Sequence, residues 1–110
     1  MNNVYDIAHE LCRSLKETDQ YKNYLAAKKK ADENEAVVKM LNDFHEKNAQ
    51  YQTKVMMEGK PDEELMAQVQ ELYTIVIQDP TAAEYLQAEL NYSQVIAEIY
   101  QILGEASQIA

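Results

Sequence analysis

The sequence predicts an all-α protein, a small bundle of about five helices that includes two long antiparallel ones and is completed by homo-oligomerisation. Three observations carry this expectation. Hydrophobic residues make up 46% of the 110-residue chain, with two Gly, two Pro and no Trp, and the remainder is rich in the helix formers Ala, Glu, Gln, Leu and Lys. Apolar residues recur at spacings of three and four, and no segment alternates with the period of a strand. A chain of this length makes a single helical domain, 1–110, and buries only about two-thirds of its unfolded surface. Area added by a partner therefore matters.

Each element follows from local pattern. Val4, Ile7, Ala8, Leu11 and Leu15 line one stripe of a first helix over about residues 3–17. Thr18 and Asp19 offer N-cap side chains for a second helix that ends near Asp32 to Asn34 and carries Tyr21, Tyr24, Leu25 and Lys28 on neighbouring turns. Its three consecutive lysines fall where cations complement the helix dipole. A third helix opens at Asn34 or Glu35 and runs to Glu58, with Val37, Leu41, Phe44, Asn48, Tyr51 and Val55 in a heptad seam. Acid-before-base pairs, Glu35 with Lys39 and Asp43 with Lys47, are expected on its outer face. Asn48 lies within the seam, where a polar residue fixes register or partner number; a slight rotation of the helix turns it to solvent instead.

Gly59, Lys60 and Pro61 form the strong break, because Gly accepts the left-handed C-cap conformation and Pro suits the start of the next helix. A tight turn here makes the flanking helices antiparallel. The fourth helix, residues 62–78, begins with Asp62, Glu63 and Glu64 and presents Leu65, Val69, Leu72 and Val76, with Met66, Tyr73 and Ile77 alongside. This stripe is wide enough to touch two neighbours. Asp79 and Pro80 stop or kink it, and the fifth helix is expected from Thr81 to about 107. Its apolar set, Leu86, Leu90, Val95, Ile96, Ala97, Ile99, Ile102 and Leu103, covers more than one face, and Tyr85, Tyr92 and Tyr100 recur near every second turn.

The net charge of −9 is unevenly spread: residues 1–60 hold all ten Lys and Arg beside ten Asp and Glu, and residues 61–110 hold nine acids and no base. An acidic half repels phosphate, which argues against direct nucleic-acid binding. It reads as a solvated face that maintains solubility, or as a docking face for a basic protein or for the chain's own Lys-rich segment. No apolar run approaches the roughly 18 residues that span a bilayer, and the N-terminus lacks a basic and hydrophobic leader. A cytoplasmic location without membrane contact is the expectation. The single Cys12 cannot form an intrachain disulfide, which agrees with a reducing compartment.

Chemistry-bearing motifs are scarce. His9 and Glu10 start the pattern of a zinc-protease helix, but Arg13 stands where the second ligand belongs. His9 and Cys12 share a helical face and could offer zinc four ligands across two copies; Cys12 reads more simply as a small buried hydrophobe and His9 as a boundary residue. His45 beside Glu46 has no nucleophile at a useful spacing and reads as part of a solvated face. With two glycines and no phosphate loop, a backbone cradle for a cofactor is hard to build. No cofactor, metal or catalytic residue is expected.

The order of these elements, with the ETDQYKNYLAAKKKADENEAVVKMLNDFHEKNAQYQ stretch, a Gly-containing turn, an acidic helix and DPTAAEYLQAELNYSQVIAEIYQIL, resembles the YlbF/YmcA family of small helical bacterial proteins, including its YheA-like branch. The resemblance covers nearly the whole chain. It implies a helical protein that associates with itself and with relatives, and a regulatory role of the kind that links family members to RNase Y, mRNA maturation, competence, sporulation and biofilm formation. Some relatives are associated with iron–sulfur clusters through several cysteines, whereas this chain has only Cys12.

The resulting expectation is a non-enzymatic adaptor that binds other helical proteins, including a second copy of itself as a dimer. The residues expected at its protein interfaces are Phe44, Asn48 and Tyr51 on the third helix and Tyr85, Tyr92, Ile96, Ile99 and Leu103 on the last. The alternative is a metal- or cluster-binding sensor that uses Cys12 and His9 across an oligomer.

Overall fold

The computed structural model describes residues 3–107, so the outermost ends of the domain expected over 1–110 lie outside the described residues. Five helices follow in order: α1 (Val4–Lys16), α2 (Asp19–Asp32), α3 (Glu35–Glu58), α4 (Glu63–Ile77) and α5 (Pro80–Ser107). Their starts are set by side-chain caps. Asn3 accepts from the Asp6 amide, Thr18 from Tyr21, Asn34 from Ala36 and Val37, and Asp62 from Leu65, each satisfying an amide that the first turn leaves without a helical partner. Helix α3 stops at Gly59, which takes φ 72° and donates its amide to the Val55 carbonyl.

The start of α5 differs by one residue from the expected Thr81. Pro80 is the first helical residue, because its missing N–H is one that a first turn cannot use. Asp79 acts as the cap, its Oδ1 accepting from the Ala82 amide at 3.0 Å. The break between α4 and α5 is thus also an initiation signal.

The chain builds two antiparallel pairs. In one, α2 lies along the first half of α5, with Tyr21 against Tyr92 at one end and Lys30 paired to Glu84 toward the other. In the other, α3 and α4 form the hairpin expected from the Gly59 turn, with Phe44 near Tyr73, Tyr51 near Met66 and Lys54 paired to Asp62. The pairs meet where the start of α3 and the end of α4 reach α5, and α4 touches both α3 and α5. The core holds Ala27 and Ala31 of α2, Val37 and Leu41 of α3, Val76 of α4, and Ala82, Tyr85 and Ala88 of α5. Half of these are alanines, whose small side chains let α2 and α5 approach closely.

This core is small for the chain, and the molecule is flat. Its extents are 52 × 38 × 16 Å and its radius of gyration is 17.3 Å, against about 13 Å for a compact domain of this length. The heptad seam of α3 is buried only at its start: Val37 and Leu41 are inside, whereas Phe44, Asn48, Tyr51 and Val55 are half-buried. The expected pairs on the outer face of α3 shift, with Lys39 turning forward to Asp43 at 3.1 Å. Both partners are exposed, so solvent levels the alternatives.

Candidate interaction surface

A cluster of four tyrosines ties α2 to α5. Tyr21 and Tyr24 flank Tyr92 with ring centroids 5.3 and 5.9 Å away, and Tyr24 also meets Tyr85 at 5.7 Å. The cluster exists because Tyr21 and Tyr24 lie one turn apart and Tyr85 and Tyr92 two turns apart, so each pair shares a helical face. The Tyr24 and Tyr85 hydroxyls are 3.4 Å apart. Burial, the Tyr24 hydroxyl and the nearby Glu89 carboxylate hold the Tyr85 phenol well above the usual tyrosine pKa. Burial also raises Tyr92, with Tyr21 and Cys12 nearby.

The polar chain continues to α3. His45 Nε2 lies 2.9 Å from Glu89 Oε1, and the imidazole stands edge-on to Tyr85 at 6.2 Å. His45 is therefore half-buried and bound, a correction to its expected place on a solvated face. Its partner lies 44 residues away, so no local spacing could announce the contact.

Two apolar surfaces remain open. A groove of about 510 Å³ runs between the α3/α4 hairpin and α5, lined by Phe44, Asn48, Tyr73, Ile77, Leu86 and Leu90. Tyr73, Ile77 and Leu90 are about half exposed there. The second surface lies at the other end of α5. Beyond Tyr92 the helix continues past the start of α2, where Asp19 and Gln20 share a cleft with Val95 and Glu98. Past that level Tyr100, Ile102 and Leu103 are 69%, 61% and 50% exposed. Helix α1 packs lightly against α2, its Cys12 comes near Tyr92 of α5, and Val4 and Ile7 are left in solvent.

The expected interface residues divide by this geometry. Tyr85 is buried in the chain's own core, and Tyr92 is half-buried in the tyrosine cluster. Phe44 and Asn48 line the groove, and the Tyr51 hydroxyl points to the Met66 sulfur at 3.8 Å. Ile96 and Ile99 are half-buried and Leu103 is exposed on the far part of α5. The groove residues Tyr73, Ile77 and Leu90 were not among those expected; their signal was an apolar set too wide for one neighbour. Cys12 is exposed, a correction to its expected burial, because α1 packs only loosely on the rest of the chain. Among the described residues no group of three or more His, Cys, Asp or Glu could hold a metal ion, and no helix is long and apolar enough to cross a membrane.

A family profile described as "Control of competence regulator ComK, YlbF/YmcA" matches residues 4–106 of this helical chain. The chain belongs to the YlbF/YmcA family. Among YlbF/YmcA relatives, a UPF0342 protein of Symbiobacterium thermophilum is 34% identical over 106 residues, covering 96% of this chain and 95% of the relative. A UPF0342 protein of Staphylococcus haemolyticus is 36% identical over 101 residues, covering 92% and 89%. The fold is shared with a protein of unknown function (DUF964) from Bacillus stearothermophilus, with a TM-score of 0.75 at 17% identity over 96% of this chain and 92% of that one. A chain in the crystal structure of Bacillus subtilis RicA in complex with RicF aligns with a TM-score of 0.59 at 19% identity, covering 94% and 92%.

Proposed function

We propose that this YlbF/YmcA member is a non-enzymatic cytoplasmic adaptor that acts by packing its helices against other helical proteins, a second copy and family relatives among them. The observation that carries this reading is the imbalance of apolar surface: among the described residues the buried core is eight, half of them alanine, while Val4, Ile7, Tyr73, Ile77, Leu90, Tyr100, Ile102 and Leu103 stand in solvent. Exposed apolar patches, here the groove and the distal end of α5, mark protein interaction. The family's description as a control of a competence regulator, and the occurrence of a fold neighbour as one partner of a two-protein complex, support a regulatory role exerted through assembly.

The role proposed is that of the relatives linked to RNase Y-dependent mRNA processing, competence, sporulation and biofilm control, with RNA reached through another protein. The charge distribution supports that indirect route. Five of the ten bases are paired within the chain, Lys22 to Glu17, Lys28 to Asp32, Lys30 to Glu84, Lys39 to Asp43 and Lys54 to Asp62, and residues 61–110 hold nine acids and no base, a charge that repels phosphate.

The test is a native pull-down from the source cells with the wild type and a Leu90→Asp variant, which places a charge in the groove. A helical partner that is recovered by the wild type and lost with the variant is the expected result. Recovery of nothing but the protein itself under several conditions would sink the adaptor reading.

A further inference from the structure

We infer that α1 and the distal part of α5, residues 93–107, form the seam of a twofold dimer in which the two distal α5 segments cross antiparallel near Ile99. This rests on the self-association proposed above and adds where and how it occurs. The area argument comes first. A folded chain of 12.7 kDa exposes about 6,200 Å², whereas this one exposes 8473 Å². The excess, roughly 2,200 Å², is well above the ~800 Å² that each partner contributes to a standard interface.

The chemistry of the segment selects its occupant. From Val95 to Leu103 the apolar residues Val95, Ile96, Ala97, Ile99, Tyr100, Ile102 and Leu103 sweep over more than half the helix circumference at about 100° per residue. A stripe that wide is characteristic of a helix with neighbours on several sides, and its own chain covers Ile96 and Ile99 only in part. Residues 93–107 carry two charges, Glu98 and Glu105, both negative, while the last turn of α1 carries Arg13 and Lys16.

The cleft shared by Asp19, Gln20, Val95 and Glu98 sets the start of α2, and with it the end of α1, level with residues 95–98 of α5. An antiparallel crossing near Ile99 sets the partner's Glu105 opposite residue 93, less than one turn from that level and on the side of Arg13 and Lys16 at the end of α1, and the twofold axis repeats the contact. A parallel crossing sets Glu98 against Glu98 and Glu105 against Glu105, like charges that repel. The same surface thus complements itself in one orientation, as an isologous interface requires.

Sedimentation of the full chain, with spin labels in a Cys12→Ser background, tests this. The expected result is a dimer in which nitroxides at Tyr100→Cys lie on the order of 20 Å apart, since packed helices run 8–10 Å apart, and those at Met57→Cys, on the far hairpin, lie farther apart. Tyr100 is 69% exposed, so Tyr100→Asp leaves the monomer helical while raising the dissociation constant at least about tenfold. A dimer indifferent to Tyr100→Asp, or one with the Met57 labels closer than the Tyr100 labels, overturns the seam and leaves self-association standing. A monomer at micromolar concentration overturns both.

Discussion

The hydroxyls of Tyr24 and Tyr85 meet at 3.4 Å across the contact between α2 and α5, inside a core that otherwise contains only aliphatic side chains. Tyr85→Phe removes one partner and is expected to cost about 1 kcal/mol. The pH dependence has a definite sign. Folded Tyr85 holds its proton more tightly than the ordinary tyrosine value of 10.0, so the unfolded chain releases it first and folding stability declines as pH rises above about 10. Denaturant titrations between neutral pH and pH 11 should show a shallower decline for Tyr85→Phe than for the wild type.

Asp62 both caps α4 and pairs with Lys54 of α3. The Lys54 ammonium and the Leu65 amide hold its carboxyl below the usual 3.8. Its contribution is therefore complete above that value and lost as pH falls below it. Asp62→Asn keeps the cap but not the charge, and should lower the melting temperature less than Asp62→Ala at pH 7. At pH 2 to 3 the wild type should approach the Asn variant.

Gly59 sits at φ 72° with nothing within 4 Å of where a Cβ would stand. The cost of Gly59→Ala is then conformational alone, about 1 kcal/mol. Equilibrium unfolding should find that loss with the helix content of the native baseline unchanged.

Leu41 is 5% exposed against the α2/α5 pair, and Met56 is 85% exposed near the hairpin tip. Leu41→Ala should destabilise by roughly 2 to 3 kcal/mol through lost burial and the cavity left behind, whereas Met56→Ala should fall within about 0.5 kcal/mol. Equal effects from the two would mean that the hairpin tip is buried in the assembled protein.

The helices and their boundaries were legible because their causes are local. Thr18, Asn34 and Asp62 cap the amides two or three residues ahead, and Gly59 closes α3 through its own φ. The Gly59 turn also specifies the α3/α4 hairpin. Pro80 was read as a stop or a kink, although with Asp79 before it the same residue pair starts α5. The exposed apolar surface was legible in outline: the over-wide apolar set of α5 signalled more than one neighbour. It did not distinguish Tyr85, which the chain buries itself, from Tyr100, one stripe along and exposed.

What the sequence determined by itself was the set of amphipathic helices, their punctuation, and an acidic half without a single base, since these depend on spacing and composition. Tertiary structure alone decided which apolar residues are covered. Val37 and Val76 are buried while the equally apolar Ile102 is not, because α5 runs on past the start of α2. It also decided that His45 finds Glu89 and that Cys12 stays in solvent. A periodic stripe states that a face must be covered; which helix covers it depends on contacts between residues far apart in the chain, and those exist only once the pairs α2/α5 and α3/α4 have come together.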